Sequence, residues 1–85
     1  MPRPSSPSPA STELGRRVHE ARKAVKGLTQ EKLAHKLDIA HSGISDIERG
    51  LANPTFETLV RIADALNTDP GDFIRGFTAK ELDRS

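Results

Sequence analysis

The stretch Leu28–Gly50, LTQEKLAHKLDIAHSGISDIERG, decides the fold, because it holds two short helical patterns separated by only a few residues. In the first, Leu33, Ala34 and Leu37 recur at helical spacing behind Thr29, whose hydroxyl suits the cap of a helix. The second is sharper. At about 100° per residue from His41, Ala40 falls at about 260°, Ile44 at about 300° and Ile47 at about 240°, a tight apolar stripe. His41, Ser45, Arg49, Ser42 and Asp46 span the arc from zero to about 140°, so the opposite face is wholly polar. A helix anchored on its partner by one side and offering short hydrogen-bonding groups on the other is what entry into a DNA major groove requires. The pair reads as a helix-turn-helix.

Working outward, residues 1–11 hold four of the six prolines together with serines, a composition that buries little and predicts a flexible tail. A first helix is expected from Ser11 or Thr12, carrying Leu14, Val18, Ala21 and Val25 on one side and closing near Gly27. On the other flank, Gly50 stops the second helix of the pair, and the loop Leu51-Ala52-Asn53-Pro54 leads to Thr55, a helix cap. Phe56, Leu59, Val60, Ala63 and Leu66 then give the apolar side of a fourth helix, with Asn67 as its left-handed stop. Asp69-Pro70 opens a fifth helix with Phe73 and Ile74 on its apolar side. Thr78 and Glu81 have capping-box spacing, so a short frayed helix is expected after Gly76. No strand pattern occurs. The expected architecture is all-α, with a helix-turn-helix domain over 12–76 and a C-terminal extension over 77–85.

Composition bounds the alternatives. Eighty-five residues allow one small core, and the absence of cysteine removes disulfide frameworks, thiolate metal sites and cysteine nucleophiles together. No apolar run approaches the roughly 20 residues of a membrane span, and the N-terminus lacks the apolar segment of a signal peptide, so a cytoplasmic protein without membrane contact is expected. Net charge is only +1, but residues 1–36 carry eight basic side chains against three acidic ones, whereas residues 37–85 carry five against nine. That polarity suits an anionic partner met by the first two helices, although on charge alone solvated helix faces are the better reading. His19, His35 and His41 lie on separate helices, and there is no HExxH, Gly-rich phosphate loop or Ser-His-Asp spacing. No enzyme, metal site, cofactor or small-molecule ligand is expected. With Phe56, Phe73 and Phe77 as the only aromatics, a stacking platform for single strands is not expected either.

Residues 14–75, about three quarters of the chain, resemble the phage-repressor and Cro-like helix-turn-helix family, also called XRE-type. Arg22-Lys23, LTQEKLAHKL, ISDIERG, NPTFETLVRIADAL and DPGDFI carry the likeness, in the family's order and near its spacing. The resemblance implies a five-helix, lambda-repressor-like fold and sequence-specific binding of double-stranded DNA. It implies that His41, Ser42 and Asp46, with Ser45 between them, reach base edges. It implies that Gln30, at the helix start capped by Thr29, links phosphate and the recognition helix. Thr29, Lys26, Lys32, Arg49, Asn53 and Thr55 are candidates for phosphate contact or positioning. Arg22 and Glu48 are expected to form a structural pair that fixes how the recognition helix is presented.

Several positions depart from the family pattern. Lys32 stands where glutamate is usual, Asp38 where the turn usually has glycine, and Ala40 where the recognition helix usually has a Ser or Thr cap. One extra residue lies between Arg22 and Leu28. Asp46 admits three readings: acceptor from the cytosine N4 amino group, filter against the wrong base, or residue outside the footprint. A homodimer on a two-fold operator is expected, with Phe73, Ile74 and Phe77 as interface candidates and closure of the core as the competing role for Phe73 and Ile74. The alternative function is a protein-interaction module of the same fold, antitoxin-like or polymerase-associated, with secondary DNA contact.

Overall fold

A computed structural model describes residues 8–82. Five α-helices follow one another: α1 (Pro9–Lys23), α2 (Gln30–Leu37), α3 (His41–Glu48), α4 (Phe56–Ala65) and α5 (Gly71–Ile74), closed by a 3-10 turn at Ala79–Leu82. There is no strand among the described residues, so the all-α class and its five helices stand as expected.

Helix α1 starts earlier than its apolar pattern indicates. Ser8 is the cap, accepting from the Ser11 amide at 3.1 Å, and Pro9 takes the first helical position, where its missing N–H costs nothing. Residues 9–11, assigned above to the tail, therefore belong to the domain, and Ala10 is buried. The expected tail otherwise lies outside the described residues. The helix also ends earlier, at Lys23. Ala24–Gly27 form a turn in which the Val25 amide bonds the Arg22 carbonyl and Gly27 takes φ +79°, absorbing the extra residue of this connection. Val25 thereby leaves the apolar side of α1 and is exposed.

The core is built from Leu14 and Val18 of α1, Leu33 and Ala34 of α2, Ile44 and Ile47 of α3, Ile62 and Ala63 of α4 with Leu66, and Phe73 of α5. In α4 the expected stripe is rotated. Taking Ile62 as zero, Leu66, Leu59 and Ala63 fall within about 100°, while Phe56 and Val60 lie at about 120° and 160°. The core takes the first arc. Phe56, at the first position of α4, is 80% exposed, and Val60 is exposed as well. The expected caps hold: Thr55 accepts from the Thr58 amide at 3.1 Å, and Asn67 has φ +57°.

At the C-terminal end Asp69 accepts from the Gly71 amide at 2.9 Å just before α5. Phe73 is buried and Ile74 exposed, so they do not share one apolar side. Phe73 belongs to the core and is withdrawn as an interface candidate. Phe77 is half-buried against the core, with the Arg17 guanidinium 4.5 Å from its ring centre. Arg17 Nη1 also donates to the carbonyls of Asp72 (3.2 Å) and Arg75 (2.8 Å), tying α5 to α1. The Thr78 amide and hydroxyl both donate to the Glu81 carboxylate, giving the turn expected after Gly76.

Candidate nucleic-acid interface

The position of α3 is set from behind. Ile44 and Ile47 are buried in the core, and Gly15 of α1 lies against the backbone of the last turn of α3. A Cβ at Gly15 would collide with the Ile47 carbonyl oxygen and come within 2.7 Å of that of Glu48. Only glycine permits this approach. The turn from α2 to α3 runs through Asp38, whose φ of +56° is the left-handed conformation that aspartate tolerates better than most residues. Ala40 is extended and provides no side-chain cap, so the first amides of α3 lack the acceptor a Ser or Thr would give.

Glu48 gathers three elements around one carboxylate. Its side chain is 3% exposed and accepts from Arg22 Nε at 2.7 Å and Arg22 Nη2 at 3.1 Å, a two-pronged pair. It accepts also from Gln30 Nε2 of α2 at 2.9 Å and meets His19 Nδ1 of α1 at 2.8 Å. Arg22 is itself buried, and its Nη1 donates to the Leu28 carbonyl at 2.9 Å. Burial would push the Glu48 carboxyl up, but the hydrogen bonds from Arg22, Gln30 and His19 outweigh it and hold the group below the ordinary glutamate value. The Arg22–Glu48 contact is thus present and buried.

Gln30 lies between this hub and the outer face of α3. Its Nε2 is engaged by Glu48, and its Oε1 is 3.3 Å from His41 Nε2. Ser42 is exposed and Ser45 and Asp46 are half-buried, and none of the three has a side-chain hydrogen bond within the described residues. Arg49 Nη1 is 3.9 Å from Asp46 Oδ1, close enough to offset the acid and too loose to fix it. His41, Ser42, Ser45 and Asp46 share one helix with its back in the core.

Thr29 caps α2 by accepting from the Lys32 amide at 3.1 Å, and Lys32 Nζ reaches the Gly27 carbonyl at 3.3 Å, bracing the turn before α2. Lys26 and Asn53 are exposed. Thr55 spends its hydroxyl within α4, donating to Thr58 Oγ1 at 3.0 Å while accepting from the Thr58 amide. Gly15 and His19 escaped the sequence reading. The signal was their spacing: Gly15, His19 and Arg22 succeed one another at i, i+4 and i+7, one face of α1.

No group of His, Asp and Glu among the described residues is placed to hold a metal, and no helix among them is long and apolar enough to cross a membrane. The candidate surface is a helix face on a fold that known proteins share. Residues 18–73 match the helix-turn-helix family HTH_3. Control protein C.BamHI of Bacillus amyloliquefaciens is 37% identical over 61 residues, 72% of this chain and 75% of that protein. The immunity repressor protein of Bacillus phage phi105 is 43% identical over 53 residues, 62% of this chain but 36% of the repressor. The crystal structure of the restriction-modification controller protein C.AhdI from Aeromonas hydrophila superposes with a TM-score of 0.68 at 34% identity, covering 73% of this chain and 92% of that one. With both halves of the motif, the buried Arg22–Glu48 pair and a family match across α2, α3 and α4, the chain belongs to the XRE-type helix-turn-helix family of transcriptional regulators.

Proposed function

We propose that this chain regulates transcription by binding double-stranded DNA sequence-specifically, as a homodimer on a two-fold operator with α3 in the major groove. One observation carries the reading: α3 is fixed from behind by Gly15, Ile44, Ile47 and Glu48, while His41, Ser42, Ser45 and Asp46 make no contact that core packing needs. His41 and Ser42 read base edges. Asp46, with Arg49 beside it, accepts from a cytosine amino group or rejects its alternatives. Thr29 and Gln30 place the start of α2 at the backbone, and Lys26, Lys32, Arg49, Asn53 and Thr55 contribute hold or position. Lys32 acts partly through its bond to Gly27.

A single module of this size buries little DNA surface, so pairing supplies both affinity and a half-site spacing of roughly 34 Å. Ile74 and Phe77 stay candidates for the dimer contact, joined by Phe56 and Val60, which α4 leaves on its outer side. The test is a mobility shift of the full chain against random duplexes over a salt series. Binding is expected at low salt, weakening as salt rises. His41→Ala and Ser42→Ala should relax sequence preference, whereas Lys26→Ala should weaken all sequences alike and reduce the salt slope by about 1. A folded chain that binds no duplex at low salt would overturn the proposal.

A further inference from the structure

An imidazole at the start of a recognition helix can donate to a base or accept from one, and sequence alone does not say which. The hydrogen-bond chain behind His41 does. Its origin is Glu48, an ionised carboxylate that carries no proton and therefore only accepts. Gln30 must turn its amide nitrogen toward that carboxylate, at 2.9 Å, because its oxygen there would face another acceptor. The amide orientation, normally ambiguous, is dictated by the charge of its neighbour. Gln30 Oε1 is then the end that faces His41, and a carbonyl oxygen only accepts. The atom 3.3 Å away, His41 Nε2, must hold the proton. The proton on Nε2 is required by Gln30 in either charge state of the ring; in the neutral form it is the one N–H, so Nδ1 is then a bare acceptor, and no described residue hydrogen-bonds to it.

We infer that His41 is a specificity-determining residue of fixed polarity: through Nδ1 it accepts from a base amino group, selecting adenine or cytosine over guanine or thymine at one position of each half-site. Adenine N6 and cytosine N4 are the amino donors of the major groove, whereas guanine and thymine present oxygens in the corresponding places. Gln30 and Glu48 act as positioning residues for this choice, Glu48 without touching the base. The inference rests on the DNA-binding reading above, and its test separates the two.

The full chain is used to select from random duplexes at mildly alkaline pH, where a free imidazole is neutral, and the position read by His41 is identified as the one whose preference disappears in His41→Ala. That position is expected to prefer adenine or cytosine on one strand by roughly 3- to 10-fold. In Gln30→Met, which removes the link, the preference there should fall toward unity while the rank order at the other positions is kept and overall affinity drops with the loss of Gln30 at the DNA backbone. Nitrogen-15 spectra of the imidazole, recorded on the free chain at alkaline pH, should show the His41 proton on Nε2, protected from exchange in the wild type and rapidly exchanging in Gln30→Met. Guanine or thymine preference at that position, an unchanged preference in Gln30→Met, or a proton on Nδ1 would each overturn the inference. Failure of the folded chain to bind any duplex would overturn the DNA-binding reading and the base-reading role with it, while the spectra still judge the polarity of the chain of bonds.

Discussion

Glu48 and Gly15 are the residues on which the presentation of α3 turns. Replacing Arg22 by methionine leaves a carboxylate 3% exposed with its main cation gone, and a loss of about 3–5 kcal/mol is expected in urea unfolding. Replacing both partners, Arg22→Met with Glu48→Leu, should recover most of that loss, because no charge is then left buried and unpaired. Acid adds a second reading of the same pair. The folded Glu48 carboxyl titrates below its ordinary value of 4.5, so its contribution is complete above that value and drains away as pH falls through the lowered one. The wild type should therefore lose stability below about pH 4.5 more steeply than the double variant. Gly15→Ala sets two effects against each other: alanine improves helix propensity by up to about 1 kcal/mol, but its Cβ meets α3 backbone that cannot give way. The collision should win, with a net loss of about 1–3 kcal/mol in the same assay. A more stable Gly15→Ala would show that α1 and α3 separate freely.

Among the elements, α3 was the most legible and remains the least well finished. Its buried stripe of Ile44 and Ile47 followed from helical spacing, whereas Ala40, expected on the same stripe, is exposed just before the helix; the caps at Thr29 and Thr55 followed from their hydroxyls and the left-handed stop at Asn67 from its side chain. Ala40 already has the extended backbone of a cap, with φ −67° and ψ 144°, and lacks only the oxygen. Ala40→Ser should stabilise the chain by about 1 kcal/mol and raise Tm by about 4–8 °C, read by thermal unfolding. Other elements were harder to read for physical reasons. In α4 two apolar arcs overlap, and only the tertiary packing of Phe73, Leu66 and α2 chooses the one through Ile62 over the one through Phe56 and Val60. In α1 the composition of the first residues pointed to a tail, whereas Ser8-Pro9 is a cap followed by the one residue that loses nothing at the first helical position. The Arg22–Glu48 pair was foreseen through the family pattern. The seat of His19 on the same carboxylate was not, because it depends on how α1 crosses α3.

For the molecule as a whole, the apolar side chains that folding leaves outside are as informative as those it buries. Phe56 makes little use of the core, so Phe56→Ser should change the monomer's unfolding free energy by no more than about 0.5 kcal/mol. If α4 forms the contact between copies, the same change should shift the sedimentation profile toward monomer. Phe73→Ala should do the reverse, costing about 3–5 kcal/mol of folding through the cavity it leaves. Sedimentation unchanged by Phe56→Ser would place the contact elsewhere, with Ile74 and Phe77 next in line. Independence of surface and scaffold extends to α3 itself. Ser42, Ser45 and Asp46 make no side-chain hydrogen bond among the described residues, so these three can change one at a time without an unstable intermediate, and under the proposed function each change would alter operator preference. His41 is the exception. Its ring is joined to Gln30 and thereby to Glu48, so substitution at this one position is coupled to residue 30, and lineages that change one should change the two together.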